Sequence, residues 1–374
     1  MCISPLSHET LENMKRFKYS STDDSLLYNK CMSPCLNKVV NYLPTWLAPN
    51  LITIFSLSCN ILAAFITYLD GGFDFSFKLK RSTCFIIGIF QLSYQLLDNI
   101  DGKQARRTGN STPFGMLMDH GCDIFTNIFT AFNLSKLLLV GNDSYFSYSI
   151  FFGLILGFYM MTYEEYKVGE MYFPIINGTD EGNFFIFLLG VFLSLLGQDY
   201  MTYTINKQYS ITVGKLIAIG IVLGGFSCVF NLYLHTYKKK GFKEMYKNIL
   251  DNIPFYSVMI VPLLFINYHL DFYKDNKWLI ISNACLIFAR VTIDIQVKIL
   301  TLGKLTCNLM FFFSNFAFIL SLFLQSFEIK FYELFLLLVA QATELGFFIF
   351  NRAKQITDFL KIRIFCINNP PAQI

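Results

Sequence analysis

DNIDGKQARRTGNSTPFGMLMDHGCD, residues 98–123, is a charged segment within a largely apolar chain. It contains two pairs of acids. Asp98 and Asp101 are three residues apart. Asp119 and Asp123 are four residues apart. Both spacings place the two side chains of a pair on one face of a helix. Two helices that meet across a short turn here would point all four carboxylates to one place.

The residues between the two pairs mark the start of the second helix. The sequence NSTP at 110–113 interrupts the helical pattern. Thr112 is a typical N-cap residue, and proline is favoured in the first helical turn because it lacks an amide hydrogen. We therefore expect a new helix to begin at Pro113.

Four carboxylates so close together repel one another, and each has a high desolvation cost beside hydrocarbon. Divalent cations would remove both penalties. Oxygen ligands favour Mg²⁺ or Mn²⁺ over zinc, and four acids can hold two ions about 3.5–4 Å apart, which suits phosphoryl transfer. The alternative interpretation is a pair of solvated helix ends with scattered acids. We predict two bound ions, with these ligands: Asp98, Asp101, Asp119 and Asp123.

The residues around the acids suit a ligand that contains phosphate. Arg106 can hold two phosphate oxygens with parallel hydrogen bonds. Gly102 and Ala105 have little or no side chain, so a nucleotide could lie against the backbone. We expect these three residues and Gly115 to contact the substrate.

The pattern Asp-x2-Asp-Gly-x2-Ala-Arg-x8-Gly-x3-Asp-x3-Asp resembles the signature of the CDP-alcohol phosphotransferases. DGKQARRT at 101–108 and DHGCD at 119–123 are similar to the choline/ethanolamine phosphotransferase branch. The resemblance implies a membrane enzyme that acts as a homodimer. It also implies transfer of the phospho-base from CDP-choline or CDP-ethanolamine to diacylglycerol, with release of CMP and no nucleic-acid partner.

The resemblance also implies roles for individual residues. The last aspartate of the family motif, here Asp123, is usually assigned as the base that takes the proton of the acceptor hydroxyl. A carboxylate bound to metal is less basic, so His120 is the alternative base, or else it supports a ligating aspartate. Asn50, in APNLIT at 48–53, could contact the nucleotide or cap a helix.

The composition excludes an ordinary soluble globule, because 54% of the 374 residues are hydrophobic and only 15% are charged. Several apolar segments approach the roughly 20 residues that cross a bilayer. We predict an all-α, polytopic integral membrane protein with about ten transmembrane helices. The predicted spans are 50–69, 82–100, 114–140, 146–163, 183–199, 211–235, 253–268, 278–297, 307–325 and 331–350.

The spans divide the chain into four regions. Residues 1–45 form a cytosolic N-terminal arm with an interfacial amphipathic helix, or alternatively a flexible arm. Residues 46–236 hold the six catalytic helices, 237–350 the last four, and 351–374 a cytosolic tail. The arm has no continuous apolar core, so we expect no cleavable signal peptide. We expect the cysteines to be reduced rather than paired or bound to zinc.

Lysine and arginine predict the orientation. With a cytosolic N-terminus, 20 of these residues lie in cytosolic segments and seven in the opposite loops. This asymmetry fits the positive-inside rule. We therefore expect the acid site to face the cytosol, in the endoplasmic reticulum or the Golgi.

Three further groups of polar residues lie outside the acid motif. Glu164 with Glu165, and the segment at 178–182, could shape a headgroup pocket or simply belong to a loop and a helix start. Arg290 and Asp294 are four residues apart and could pair inside the membrane. The family commonly has a histidine near Asp294, so this half of the chain departs from its pattern.

Two other functions remain open from the sequence. The motif is shared with phosphatidylinositol and phosphatidylglycerophosphate synthases, which are generally shorter. Acids inside a membrane also occur along ion pathways, so a cation transporter is the alternative outside the family. A transporter predicts acids spread over several spans, whereas here they cluster at one end.

Overall fold

The computed structural model describes residues 5–141, 145–304, 309–322 and 327–367. The fold is all-α apart from four very short strands, as predicted. In the described residues the helices are α1 (His8–Met14), α2 (Ser33–Val39), α3 (Pro49–Gly71), α4 (Arg81–Arg107), α5 (Pro113–Leu138), α6 (Tyr145–Val168), α7 (Asn183–Leu196), α8 (Asp199–Thr202), α9 (Val213–Lys240), α10 (Phe242–Asp251), α11 (Ile253–Tyr268), α12 (Leu270–Leu300), α13 (Leu309–Leu322) and α14 (Phe327–Leu360).

The short strands form two separate pairs. β1 (Ser21–Asp23) pairs in parallel with β2 (Met171–Phe173), and so attaches the N-terminal arm to the segment after α6. β3 (Thr204–Asn206) and β4 (Ile211–Thr212) form a small antiparallel hairpin before α9. Two π-helical turns, Tyr28–Met32 and Gly178–Gly182, precede α2 and α7.

An α-helix overlaps each of the ten predicted spans. In the described part of the chain, six are long and apolar enough to cross a membrane on their own, or seven if α10 and α11, bent by 48°, form one broken span. α4 and α5 are equally long but carry the charged motif at their adjoining ends. The ninth predicted span, 307–325, lies partly outside the described residues.

α5 lies at the centre of the bundle. It packs against α3 and α12, and also against α6, which is mostly buried. α9 and α14, in contrast, leave most of their apolar surface uncovered by protein. Helices with this composition face lipid in a membrane protein. The arrangement puts the charged start of α5 inside the bundle, at one end of it.

Glycine allows α4 and α7 to approach closely. A Cβ atom added at Gly190 of α7 would lie 2.7 Å from the backbone of Gly88 and from the carbonyl oxygen of Cys84, both in α4. Small residues at helix crossings give the close van der Waals contact that holds membrane helices together. This contact fixes the position of α4, which carries the first pair of acids.

The N-terminal arm is tied to the helix bundle at several points. The Lys103 ammonium group of α4 donates hydrogen bonds to Ser33 and Asn37 of α2, at 3.1 and 2.8 Å. Met14 of α1 is buried against Phe114 of α5. Trp46 is 74% exposed at the end of the arm, where a headgroup-level residue would lie. That the arm lies in the membrane interface stays a prediction.

Candidate active site

The second helix begins where the sequence predicted. Thr112 has an extended backbone conformation and its hydroxyl oxygen accepts a hydrogen bond from the amide of Gly115, at 2.9 Å. Pro113 occupies the first turn. The N-cap prediction is confirmed, and α5 starts immediately beside the end of α4.

The two helices bring the predicted acids together. Asp98, Asp119 and Asp123 each offer a carboxylate oxygen, and these three atoms lie within 4.8 Å of one another. Asp101 lies beside Asp119 and accepts a hydrogen bond from the Thr53 hydroxyl of α3. Asp101 and Asp123 are buried, whereas the other two acids are half-buried.

These residues fit divalent cations. In the part of the chain that the structure describes, no lysine or arginine forms an ion pair with any of the four acids, which leaves a concentrated negative charge. The Oδ1 atom of Asp119 is buried and has no hydrogen-bond partner among the described residues. Buried oxygens without donors are costly unless a cation binds them. Carboxylate oxygens, such as those of these four aspartates, are ligands that suit Mg²⁺ or Mn²⁺.

The residues expected to hold a phosphate lie on the exposed side of the acids. Arg106 is exposed, and a Cβ atom added at Gly102 would lie 3.5 Å from its Nη1 atom. The guanidinium group therefore extends over Gly102, one turn earlier on α4. Ala105 is half-buried on the same turn. The backbone at Gly102, which has no side chain, and the Arg106 guanidinium group are therefore neighbours.

Asn50 contacts the C-terminal segment. Its side-chain amide donates a hydrogen bond to the carbonyl oxygen of Ile364, at 2.7 Å. It does not cap α3, whose N-cap residue is Ala48 and has no side-chain hydrogen bond. A Cβ atom added at Gly115 would lie 3.4 Å from the Asn50 Oδ1 atom, so these two predicted substrate contacts are neighbours.

His120 is buried beside Tyr19 of the N-terminal arm. Their rings meet edge-on, with centroids 5.8 Å apart, and the His120 Nδ1 atom has no hydrogen-bond partner among the described residues. Burial of its hydroxyl and the negative charges of Glu165, Asp119 and Asp123 raise the pKa of Tyr19 above its usual range. Tyr19 therefore stays neutral, and its hydroxyl donates a hydrogen bond to the sulfur of Met171, at 3.7 Å.

Two residues of the site were missed by the sequence reasoning. The Tyr94 hydroxyl donates a hydrogen bond to Oδ1 of Asp123, at 2.9 Å. Tyr94 precedes Asp98 by four residues, so its position on the acid face of α4 was a signal that could have been used. Thr53, which donates a hydrogen bond to Asp101, lies on α3. Its distance in sequence from the acids gives no indication that it contacts them.

Glu164 and Glu165 differ in their surroundings. Glu164 bonds to the Nδ1 atom of His235, at 2.5 Å, and Glu170 lies 3.3 Å from the other ring nitrogen. Tyr172 stacks on the same imidazole. Glu165 is 3% exposed, and its Oε2 atom has no hydrogen-bond partner among the described residues. The role in a headgroup pocket stays a prediction.

The pair predicted in the second half of the chain is part of a larger cluster. Arg290 lies 3.8 Å from Asp294, but its Nε atom bonds to both oxygens of Glu344 on α14, each at 3.0 Å. Its guanidinium carbon lies 3.5 Å from the ring centroid of Phe348. This cluster joins α12 to α14.

A cavity of about 390 Å³ begins at the acid site. Asp123 and Tyr94 line it, as does Leu134, about three turns further along α5. α6, α7, α9 and the segment 176–182 before α7 supply the remaining walls, and the cavity surface is mostly apolar. The site therefore joins a charged pocket to an apolar cavity.

The family model and the relatives that match this chain point to the same family. The family model for CDP-alcohol phosphatidyltransferase matches residues 46–222, which include the whole acid motif. An uncharacterized CDP-alcohol phosphatidyltransferase class-I family protein of Dictyostelium discoideum is 32% identical over 67% of this chain and 59% of its own length. Choline/ethanolaminephosphotransferase 1 of Arabidopsis thaliana is 32% identical over 52% of this chain and 49% of its own length.

Another relative extends along nearly the whole chain. Cholinephosphotransferase 1 of Xenopus laevis is 26% identical over 98% of this chain and 92% of its own length. The two relatives named before it are matched over only about half to three fifths of their length.

Proposed function

This chain belongs to the CDP-alcohol phosphatidyltransferase family, and we propose that it transfers phosphocholine or phosphoethanolamine from a CDP-alcohol to diacylglycerol. The observation that carries the proposal is the contact between a charged pocket of four carboxylates and an apolar cavity. A nucleotide substrate is soluble in water, whereas diacylglycerol is soluble in lipid. A site that joins both environments can bring the two substrates together.

The proposed reaction exchanges one phosphorus–oxygen bond for another. The hydroxyl oxygen of diacylglycerol attacks the β-phosphorus of the CDP-alcohol. The bond between that phosphorus and the oxygen bridging to the α-phosphorus breaks, and CMP leaves with the bridging oxygen. The proton of the hydroxyl passes to a base of the protein.

The four acids would hold the divalent cations. Once bound, these ions neutralise the phosphate charge and stabilise the leaving oxygen. The protein fixes the acids from three helices, because Thr53 of α3 donates to Asp101 of α4, and Tyr94 of α4 donates to Asp123 of α5. These hydrogen bonds orient the carboxylates before any substrate arrives.

The donor would enter from the cytosolic side. Arg106 is exposed and extends over Gly102, so its guanidinium group can reach a diphosphate that lies against that backbone. Asn50 and Gly115 lie next to each other at the start of α3 and α5. For Asn50 to bind the nucleotide, its amide must first release the carbonyl of Ile364.

Asp123 is our candidate for the base. It is buried, lines the apolar cavity where the acceptor would lie, and is held by Tyr94. His120 is also buried near the acids, but it is not among the residues that line the cavity. In the proposed complex the Asp123 carboxylate would lie next to the acceptor hydroxyl.

The headgroup is proposed from the relatives. Those named choline/ethanolaminephosphotransferase or cholinephosphotransferase include one that matches nearly the whole chain. Phosphatidylinositol or phosphatidylglycerophosphate synthesis is the alternative within the family. A cation transporter is disfavoured because the chain belongs to a family of transferases. Assembly as a homodimer and residence in the endoplasmic reticulum or Golgi are part of the proposal.

The proposal is tested by CMP release from the purified chain in lipid vesicles. We expect CMP only when diacylglycerol, Mg²⁺ or Mn²⁺, and CDP-choline or CDP-ethanolamine are all present. Asp101→Asn should remove nearly all activity and still elute as a folded protein. Asp271→Asn is the matched control, because the Asp271 side chain is 92% exposed and far from the motif in sequence.

Three results would contradict the proposal. CMP release in excess EDTA would exclude the metal role. Full turnover by Asp101→Asn would exclude the site. Use of inositol or glycerol 3-phosphate with CDP-diacylglycerol, and not of CDP-choline or CDP-ethanolamine, would assign the chain to the alternative branch.

A further inference from the structure

α10 is a short amphipathic helix that connects two apolar helices. α9 ends at Lys240, and Gly241 turns the chain with a φ of 87°, a backbone conformation that favours glycine. α10 then runs over Phe242–Asp251, and α11, which begins at Ile253, is bent by 48° from it. α10 is therefore set at an angle between its two neighbours.

Contacts at the end of α9 place α10 on the side of the acid site. The Lys239 ammonium group forms an ion pair with Glu170, at 3.1 Å, directly before β2. β2 pairs with β1, which follows Tyr19 by two residues, and the Tyr19 ring contacts His120. The start of α10 therefore lies at the same end of the helix bundle as the four acids.

One face of α10 is fixed to the protein. The Asp251 carboxylate accepts hydrogen bonds from the Tyr163 hydroxyl and the Lys167 ammonium group of α6, at 3.1 and 2.9 Å. Asn248, about one turn earlier on α10, is buried. These contacts determine which side of α10 faces away from the bundle.

The outward side of α10 is apolar. Four large residues of this helix are 37–65% exposed, namely Phe242, Tyr246, Ile249 and Leu250. Their spacing places them on one side of the helix, which we call the apolar face of α10. An exposed apolar face bordered by charged groups typically marks an interaction surface.

Five lysines lie on or beside α10. Lys243 and Lys247 point about 100° and 140° round the helix axis from Phe242, at the border of the apolar face, and 238–240 are three further lysines at the end of α9. All five are exposed. In the described part of the chain, Lys239 alone among them forms an ion pair. Positive charge is therefore concentrated beside the apolar face.

We propose that the apolar face of α10 and these lysines bind anionic phospholipids in the leaflet on the side of the acids. Most of the apolar length of α9 is uncovered by protein, so α10 adjoins a surface that faces lipid. A helix of this kind lies between headgroups and acyl chains, and its lysines reach the lipid phosphates. The inference is independent of the proposed function, because it requires no turnover.

The test is photo-cross-linking in vesicles of phosphatidylcholine that contain a minor fraction of phosphatidylserine. The photoreactive amino acid p-benzoylphenylalanine replaces Tyr246, and mass spectrometry identifies the attached lipid. The control position is Phe230 of α9, which is 63% exposed and about two turns before the first lysine. Each protein is first checked for a monodisperse elution profile.

We expect phosphatidylserine to be enriched among the adducts at position 246, relative to its share of the vesicle, and not at position 230. Lys243→Gln with Lys247→Gln should lower this enrichment by roughly fivefold or more, the effect expected when lysines near an anionic surface are lost. High salt should have the same effect, because it screens exposed charges.

Lys207→Gln with Lys354→Gln is the matched control, since both lysines are exposed, have no ion pair among the described residues and lie outside α9–α11. This control should keep the enrichment. An equal loss in the control, or no enrichment at position 246 in the parent protein, would overturn the inference.

A second pair of substitutions tests the apolar face itself. Phe242→Ser with Ile249→Ser should lower the total yield of lipid adducts at position 246 and leave the yield at position 230 unchanged. Both side chains are exposed, so the fold should tolerate these changes. Unchanged lipid yield, or adducts at position 246 with protein only, would show that the face is not in the membrane and would also overturn the inference.

Discussion

Among the four acids, Asp123 has distinct surroundings. Its Oδ1 atom accepts a hydrogen bond from the Tyr94 hydroxyl, and its side chain lines the apolar cavity. Asp101 instead accepts from Thr53 and does not line that cavity. The four aspartates can therefore have different roles, because their hydrogen-bond donors come from different helices.

The choice between Asp123 and His120 as base leads to the first residue-level prediction. Because His120 does not line the cavity, we expect His120→Gln to lower the single-turnover rate by less than about tenfold and to keep the shape of the pH–rate profile. Loss of a general base typically costs about 10²–10⁴ in rate. Rapid quench of the reaction with enzyme in excess of CDP-choline measures this step.

His8→Gln is a suitable control, because His8 is exposed on α1 and away from the acids. A fall of 10²–10⁴ for His120→Gln, a range typical of a lost general base, together with loss of the basic limb of the profile, would assign the proton transfer to His120. Asp123 would then be a metal ligand only.

At the level of elements, the crossing of α4 and α7 depends on two glycines. A Cβ atom at Gly190 would lie 2.7 Å from backbone atoms of α4, and backbone cannot move aside as a flexible side chain can. α4 carries Asp98 and Asp101, so a shift of this crossing also shifts the acids. We therefore expect packing at this crossing to affect the acid site.

We predict that Gly190→Ala destabilises the protein by roughly 1–3 kcal/mol, the usual cost of overpacking, and lowers activity in parallel. Gly346→Ala on α14 is the matched control, since a Cβ atom there meets nothing within 4 Å. Alanine is the better helix former, so the control should be neutral or slightly stabilised. Thermal unfolding in detergent and CMP release measure both effects. Equal melting temperatures for Gly190→Ala and the wild type would show that α4 and α7 can move apart without loss of stability.

Elements with local signals could be predicted from the sequence. The start of α5 follows from Thr112 and Pro113 alone, and the grouping of the acids follows from their spacing on two successive helices. Contacts between distant segments could not be predicted in this way. Asn50 and Ile364 are 314 residues apart in sequence. Their hydrogen bond exists only because the start of α3 and the segment after α14 meet in the folded chain. The same holds for the bond from Thr53 to Asp101.

At the level of the whole molecule, the first and last described segments of the chain lie on the side of the acids. The amide of Leu6 donates a hydrogen bond to the side chain of Gln355, at 3.0 Å. The buried residues Met14, Phe114 and Ile356 bring α1, the start of α5 and the end of α14 into one apolar cluster. This agrees with an even number of membrane crossings.

The last prediction concerns the orientation in the membrane. The distribution of lysine and arginine predicts that the acid site faces the cytosol. Cys366 is exposed near the C-terminal end, and Tyr209, between β3 and β4, is 69% exposed on the side predicted to be luminal. We compare two proteins in which the other exposed cysteines of the described residues, Cys31 and Cys35, are replaced by serine, as are Cys2 and Cys307, which lie outside those residues. One keeps Cys366, and the other has Cys366→Ser together with Tyr209→Cys.

In sealed microsomes, a membrane-impermeant maleimide should label Cys366 from outside, because the C-terminal end shares the cytosolic side with the acids. The Tyr209→Cys protein should be labelled only after detergent opens the vesicles, which also serves as the control that its thiol is reactive. Both proteins should retain CMP release, since neither position touches the site. The reverse labelling pattern would place the acids in the lumen, where a cytosolic CDP-alcohol could not reach them, and would contradict the proposed direction of substrate entry.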